Sequence, residues 1–215
     1  MLINTVTPSE LPRKPWENTL IYFPFSENAN DVMGNATLSW WTYTKQNIWY
    51  LCAWTSWYDT NNINTSSAIS SQILTLSSWV NVQYAWPTSW TRYCQILLMW
   101  NGNVCYQYSV SSWTANAFQV YKSNRTYSYL WASLPTNEWH LLTLTTSSTA
   151  TICYIDTTPY VVASSWWYYN EWNWLRLWRS WTQVIHSNVI WESRIRGFDD
   201  ITKYYNQTKS KYWIS

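Results

Sequence analysis

Short apolar or alternating runs rich in Ile, Val, Thr and Tyr recur along the chain, divided by clusters of Ser, Thr, Asn and Pro. Alternation with a period of two marks a half-buried strand, and a short apolar run between turn signals marks a buried one. On this basis strands are predicted at Leu20–Phe25, Ile73–Tyr84, Tyr93–Trp100, Asn103–Val110, Phe118–Lys122 and Tyr127–Trp131. Further strands are predicted at Trp139–Thr145, Thr151–Ile155, Tyr160–Ala163, Asn173–Trp178 and Val189–Ile195. Ile73–Tyr84 is long for one strand, and a bend is expected near Ser77–Ser78. Asn101-Gly102 is a strong hairpin signal. It pairs Trp100 with Asn103 and Leu98 with Cys105, and sets Cys94 opposite Ser109. Only Asp199–Tyr205 reads as a short helix, with Asp199 or Asp200 as its N-cap. So many strands in one domain-sized chain predict an all-β fold, an antiparallel two-sheet jelly-roll sandwich with a short C-terminal helical turn. Residues 1–17 read as an N-terminal arm and residues 18–215 as one domain, with no internal repeat.

Composition excludes several classes of partner. Charged residues make up 11% of the 215, and the net charge is +2. The charges are scattered, so no nucleic-acid-binding stripe is present. No apolar run approaches the ~18 residues that a bilayer span requires, so no membrane insertion is expected. The opening MLINTVTPSELPRKP lacks the basic start and apolar stretch of a secretory signal. The expected location is extracellular, cell-surface or virion by another route, with the cytoplasm as the alternative.

Glycine and tryptophan change the picture. Average usage of ~7% predicts about 15 glycines in a chain of this length. There are 3 Gly beside 21 Trp. Many Trp stand where turn chemistry favours Gly, as in AWPTSWT, CAWTSWYDTNN, VSSWTAN and LRLWRSWTQ. The pattern is that of a gene whose UGA codons mean Gly but are read as Trp. On this reading Trp49, Trp54, Trp86, Trp90, Trp113, Trp178, Trp181 and Trp191 should fall in turns or at strand ends, often exposed. Trp79 and Trp139 should be buried in strands. The four cysteines, Cys52, Cys94, Cys105 and Cys153, form no C-x-x-C pair and read as buried thiols.

A series of motifs resembles the laminin G-like domain of the concanavalin A-like lectin/glucanase superfamily. NTLIYFPFSENANDVMGN resembles its first strand and loop. ILTLSSWVNV resembles the strand bearing the family tryptophan, here Trp79. NEWHLLTLT carries Trp139 and His140 at family positions. TICYIDTTPYVV resembles the "Y-I-D-G" hairpin, but has Thr157 where the family has Gly. LRLWRS and VIWESRIRGFDDITKYY resemble the last strands, with Trp178 and Trp191 at family glycines. The resemblance covers about Asn18 to Tyr205 and implies the same jelly-roll sandwich.

Candidate chemistry is sparse. Related glucanases need paired carboxylates, about 5–5.5 Å apart for a retaining mechanism. This chain lacks the Glu-x-Asp-x-x-Glu strand motif of that branch. Asp199 and Asp200 are adjacent, and Glu138 and Glu171 stand alone. His140 and His186 have no nucleophile motif beside them, and His186 reads as a solvated loop residue. We therefore expect no catalytic residues, no metal site and no enzyme. Ca²⁺ is the cofactor the resemblance would admit, with Asp31 and Asp59 as its anchors. The simpler reading of Asp31 is an Asx-turn to loop N–H groups. Tyr168, Tyr169, Asn170 and Trp172 form an aromatic–polar stretch that survives whether neighbouring Trp are Trp or Gly. They are the candidate ligand-binding residues. The expected function is binding or adhesion to a surface glycan or protein, with assembly into a multi-subunit particle such as a phage tail as one setting. The alternatives are a purely structural module and, distantly, a glycoside hydrolase.

Overall fold

The computed structural model describes the backbone of residues 18–25, 30–39, 43–46, 49–52, 60–69, 73–85, 92–99, 104–111, 114–121, 127–130, 135, 137–147, 150–163, 172–179 and 182–212. Side chains are described for 18–25, 30–37, 73–81, 135, 137–147, 150–161 and 185–212. The strands are β1 (Thr19–Phe23), β2 (Ala36–Ser39), β3 (Tyr43–Gln46), β4 (Trp49–Cys52), β5 (Thr60–Ile69), β6 (Leu74–Ala85), β7 (Arg92–Met99) and β8 (Val104–Ser111). They continue as β9 (Thr114–Tyr121), β10 (Tyr127–Leu130), β11 (Trp139–Thr146), β12 (Thr151–Ile155), β13 (Thr158–Ala163), β14 (Trp172–Arg179) and β15 (Thr182–Glu192). Helix α1 (Phe198–Thr208) follows, then a 3-10 turn, Lys209–Tyr212.

The strands form two antiparallel sheets. One runs β13-β12-β11-β6-β15-β4-β3, with β1 added on β15; the other runs β10-β9-β8-β7-β14-β5-β2. The expected two-sheet sandwich is therefore present. Four strands, β2 to β5, were not expected. β2, β3 and β4 are only four residues each and β5, TNNINTSSAI, is polar without alternation, so pairing decides them: β5 with β14 and β2, and β4 with β15 and β3.

Strand β6 is the spine of the first sheet. It pairs with β11 from Leu74 to Asn81 on one side and with β15 from Thr75 to Ala85 on the other. No bend breaks it at Ser77–Ser78, contrary to the reading of the sequence. Both hydroxyls find cross-strand partners instead: Ser77 Oγ lies 3.1 Å from Thr143 Oγ1, and Ser78 Oγ lies 3.0 Å from His186 Nδ1. A satisfied buried hydroxyl removes the reason for the strand to turn away.

Register divides the side chains between two faces. Trp79 faces Leu141 across the β6–β11 ladder, and Trp139 and Ile185 share that face. The C-terminal segment covers it. Trp79 stacks between Tyr205 and Tyr212, with ring centroids 5.6 and 4.3 Å away. Its indole N–H donates to Thr208 Oγ1 at 3.2 Å. Both expected core tryptophans, Trp79 and Trp139, are buried in strands. Burying such a ring contributes roughly 1.5–3 kcal/mol, and each aromatic pair about 0.5–1.5 more. Leu76, Val80, Leu142, Leu144, Cys153 and Trp191 occupy the opposite face, also buried, as the inward face of a sandwich requires.

Trp191 departs from expectation. It was placed among turn or strand-end tryptophans, but it is 0% exposed inside β15. It pairs with Leu76 on one side and Ile21 on the other, so β6 and β1 enclose it. Burial thus gives no ground for separating Trp191 from Trp79. Trp49 opens β4, and Trp178 sits one residue from the end of β14, beside a register shift. Trp54, Trp86, Trp90, Trp113 and Trp181 lie outside the described residues.

Two local readings also change. In the β7–β8 pair Leu98 meets Cys105 as expected, but a bulge between Gln95 and Leu97 sets Cys94 opposite Tyr108 rather than Ser109. Helix α1 is longer than expected, and Gly197, in extended conformation, is its N-cap with no side-chain capping bond. Asp199 and Asp200 lie inside the first turn, where a negative charge meets the positive end of the helix dipole.

Candidate functional site

In sequence the candidate binding residues follow β13 and lead into β14. β13 is the edge of the first sheet and β14 is internal to the second. Trp172 is the first residue of β14 and pairs with Ile69, the last of β5. Tyr168, Tyr169 and Asn170 lie outside the described residues. The register groups the described strand ends of the first sheet. Leu74 pairs with Thr146, Thr75 with Glu192, and Thr151 with Ala163. The strand ends at Leu74, Thr146, Thr151, Ala163 and Glu192 therefore lie at one end of the first sheet.

That end carries exposed apolar side chains that the sequence reading passed over. Ile73, Ile195 and Phe198 are 46%, 44% and 50% exposed. Nothing in the sequence separates them from core residues, because Ile73 and Ile195 sit in runs that read as strand. Below them lies a buried ion-pair group. Glu192, 1% exposed, bonds Arg196 Nε and lies 3.1 Å from Arg194 Nε. Arg196 also sits over the Tyr204 ring, 5.0 Å from its centroid. This group ties α1 to β15.

Asp31 is the clearest polar centre. Its Oδ1 accepts from the backbone N–H of Tyr22 at 2.7 Å and Met33 at 3.1 Å. Its Oδ2 accepts from Asn35 N–H at 2.8 Å and Ala36 N–H at 3.0 Å. A carboxylate has about four lone-pair directions, and four donors fill them. Asp31 thus does what an Asx-turn residue does, and its oxygens are engaged away from any cation. Asp59, the other proposed Ca²⁺ anchor, lies outside the described residues. Among the described residues no three His, Cys, Asp or Glu side chains group closely enough to hold a metal.

The histidines divide. His140 Nδ1 lies 2.9 Å from Asp156 Oδ2, and Asp156 Oδ1 accepts from Leu141 N–H at 2.9 Å. Asp156 thereby ties the β12–β13 turn to the start of β11. Asp156 takes φ 56 in that turn, while Thr157 is not among the positive-φ residues. The two-residue hairpin therefore closes without the glycine that the laminin G-like pattern has at 157. His186 is not a loop residue; it is 0% exposed in β15, against Ser78. A central strand with partners on both sides leaves it no water. The Ser78–His186 pair is sealed from substrate, and that burial disqualifies it as a nucleophile–base pair.

A second polar cluster closes the far side of the helix-covered face. Tyr212 Oη donates to Ser187 Oγ at 2.9 Å and accepts from Asn188 Nδ2 at 2.7 Å. Tyr22 Oη donates to Asn188 Oδ1 at 3.0 Å. Burial pushes Tyr22 up to about 12. Burial also raises Tyr212, and its bonds to Ser187 and Asn188 oppose the rise. Tyr204 is raised chiefly by burial and by Tyr212 beside it.

Sheet order, helix and exposed end together define a two-sheet β-sandwich domain. No known family model matches the chain, and no curated protein matches it in sequence. Solved structures do superpose on it. The binding domain of botulinum neurotoxin DC, solved in complex with SialylT, gives a TM-score of 0.69 at 12% identity, over 90% of this chain and 52% of that one. Botulinum neurotoxin type C, described as entering cells in dependence on two ganglioside molecules, gives 0.66 at 11% identity, over 88% and 51%. A Trypanosoma rangeli sialidase mutant with trans-sialidase activity gives 0.60 at 12% identity, over 90% and 33%. The chain spans about half the length of the toxin domains. At these identities the likeness is one of fold. No described helix is long and apolar enough to cross a membrane.

Proposed function

We propose that this domain is a non-enzymatic binding module that recognises a glycan displayed on a surface. The crossing between β13 and β14 holds its ligand, with Tyr168, Tyr169 and Trp172 as apolar faces and Asn170 for hydroxyl groups. One observation carries the reading. The solved domains that share this fold include toxin binding domains named for SialylT and for gangliosides. Two further features support it. Both described histidines are committed to packing partners, and Asp31 is committed to backbone donors. The buried strand positions of Trp79 and Trp139 support a laminin G-like reading of this fold.

A glycan array with the whole chain tests the proposal. Expected is a defined set of bound glycans, lost by at least tenfold in Tyr168→Ala combined with Tyr169→Ala. Uniformly absent binding, with assembly into a particle, would favour the structural-module reading instead. Release of reducing sugar from a bound glycan would restore the hydrolase reading. The reading of UGA as Gly, applied to the turn tryptophans other than Trp191, is settled by the codons. UGG at Trp54, Trp86 and Trp90 would end it.

A further inference from the structure

His140 is committed through one ring nitrogen only. Its Nδ1 lies 2.9 Å from Asp156 Oδ2, while Asp156 Oδ1 accepts from Leu141 N–H at 2.9 Å. A carboxylate only accepts, so Nδ1 carries the proton and the neutral ring presents a lone pair at Nε2. That atom is buried and has no hydrogen-bond partner among the described residues. The carboxylate of Glu138 stands beside it, with Oε2 4.0 Å away.

Two lone-pair groups at that separation do not satisfy each other. A buried polar atom left so is costly unless a water or an ion meets it. A cation between the two engages both and also balances the charge of Glu138. Zinc fits the gap. Zn–N and Zn–O bonds of about 2.0–2.2 Å reach across at most about 4.2 Å, and a tetrahedral angle brings the two atoms to about 3.4 Å. The Glu138 side chain is 63% exposed and has the room for that small swing. Asp156 already does what a supporting carboxylate does: a metal-bound imidazole commonly donates its other N–H to one, which fixes the tautomer and raises the basicity of the ligand nitrogen. Imidazole beside carboxylate suits zinc, whereas Mg²⁺ and Ca²⁺ prefer oxygen alone. None of the three residues is Trp, so the site stands however the codons read.

We propose that Glu138 and His140 bind a zinc ion, with Asp156 orienting the imidazole and water completing the tetrahedron. The site goes beyond the glycan-binding reading and does not depend on it. With two protein ligands it holds zinc more weakly than a closed four-ligand site.

The test is imidazole nitrogen NMR on the whole 215-residue chain during titration with zinc chloride. The chain has 2 His, so buried His186 serves as the internal control. Zinc should shift His140 Nε2 and leave His186 where it was, and Mg²⁺ should shift neither. Asp156→Asn keeps a residue that tolerates the φ of 56 at that turn. It should weaken zinc binding about 10–100-fold. Glu138→Gln should weaken it at least as much, and a melting curve checks that both variants fold. Zinc that leaves His140 Nε2 unmoved would overturn the proposal. So would a shift that Glu138→Gln leaves at full strength.

Discussion

Replacing Asp31 by alanine separates two accounts of the β1–β2 connection. The side chain holds four backbone N–H groups at 2.7 to 3.1 Å. Two of them belong to the buried residues Tyr22 and Ala36, 6% and 8% exposed. Stranding a buried donor costs about 1–3 kcal/mol. Met33 and Asn35 are more open and recover water at a cost of a few tenths. The expected loss for Asp31→Ala is therefore about 3 kcal/mol. Asp31→Asn keeps one acceptor oxygen but turns an NH₂ group toward the other donors, so it should lose about as much. Urea titration reads the effect as a lower midpoint with an unchanged slope. Ca²⁺ added to the original chain should leave its midpoint where it was. A loss below about 1 kcal/mol, or a midpoint that rises with Ca²⁺, would refute the argument.

Other consequences can be measured alongside. Glu192→Ala leaves the buried Arg196 guanidinium without its carboxylate and should cost about 3–5 kcal/mol by urea titration. Tyr212→Phe removes the hydroxyl shared by Ser187 and Asn188 and should cost about 1–2 kcal/mol, read as a lower melting temperature. Thr157→Gly should weaken the hairpin by up to about 1 kcal/mol, because Thr157 needs no positive φ and glycine only loosens the unfolded chain. Tyr22, with its folded value pushed from 10.0 to about 12, contributes stability that is complete below pH 10 and lost as pH rises through 12. Alkaline unfolding followed by phenolate absorbance should show Tyr22 and Tyr212 ionising with the unfolding step rather than before it.

Strong alternation and motif order made much of the first sheet legible. Trp79, Trp139 and the β12–β13 hairpin lie where the sequence put them, because apolar residues on central strands have one way to be buried. Strands β2 to β4 are too short to show a period, and β5 was invisible for the opposite reason. TNNINTSSAI is held in a sheet by its neighbours rather than by its own preference. His186 misled because QVIHSN reads as polar, while β6 and β4 on either side of β15 shut out water. Trp191 misled because a glycine-like position in a family pattern can still lie at the centre of a sheet. Asp31 was legible, since an acid followed by a tight Val-Met-Gly-Asn loop favours side-chain to backbone bonds. The exposed end was not, because exposure of Ile73, Ile195 and Phe198 depends on where the sheets stop.

The pairing of β1 with β15, and the bond between Asn18 and Ser193 across 175 positions, set a schedule for synthesis. A ribosome makes β1 before the other described strands, yet β15, its partner among them, is the last of these strands to appear. The aromatic stack on Trp79 waits still longer, until Tyr212 has cleared the exit tunnel. Released chains that end before α1 should thus hold an uncovered Trp79 face, vulnerable to chaperone capture and proteolysis. A peptide of residues 198–212 added in trans should protect them.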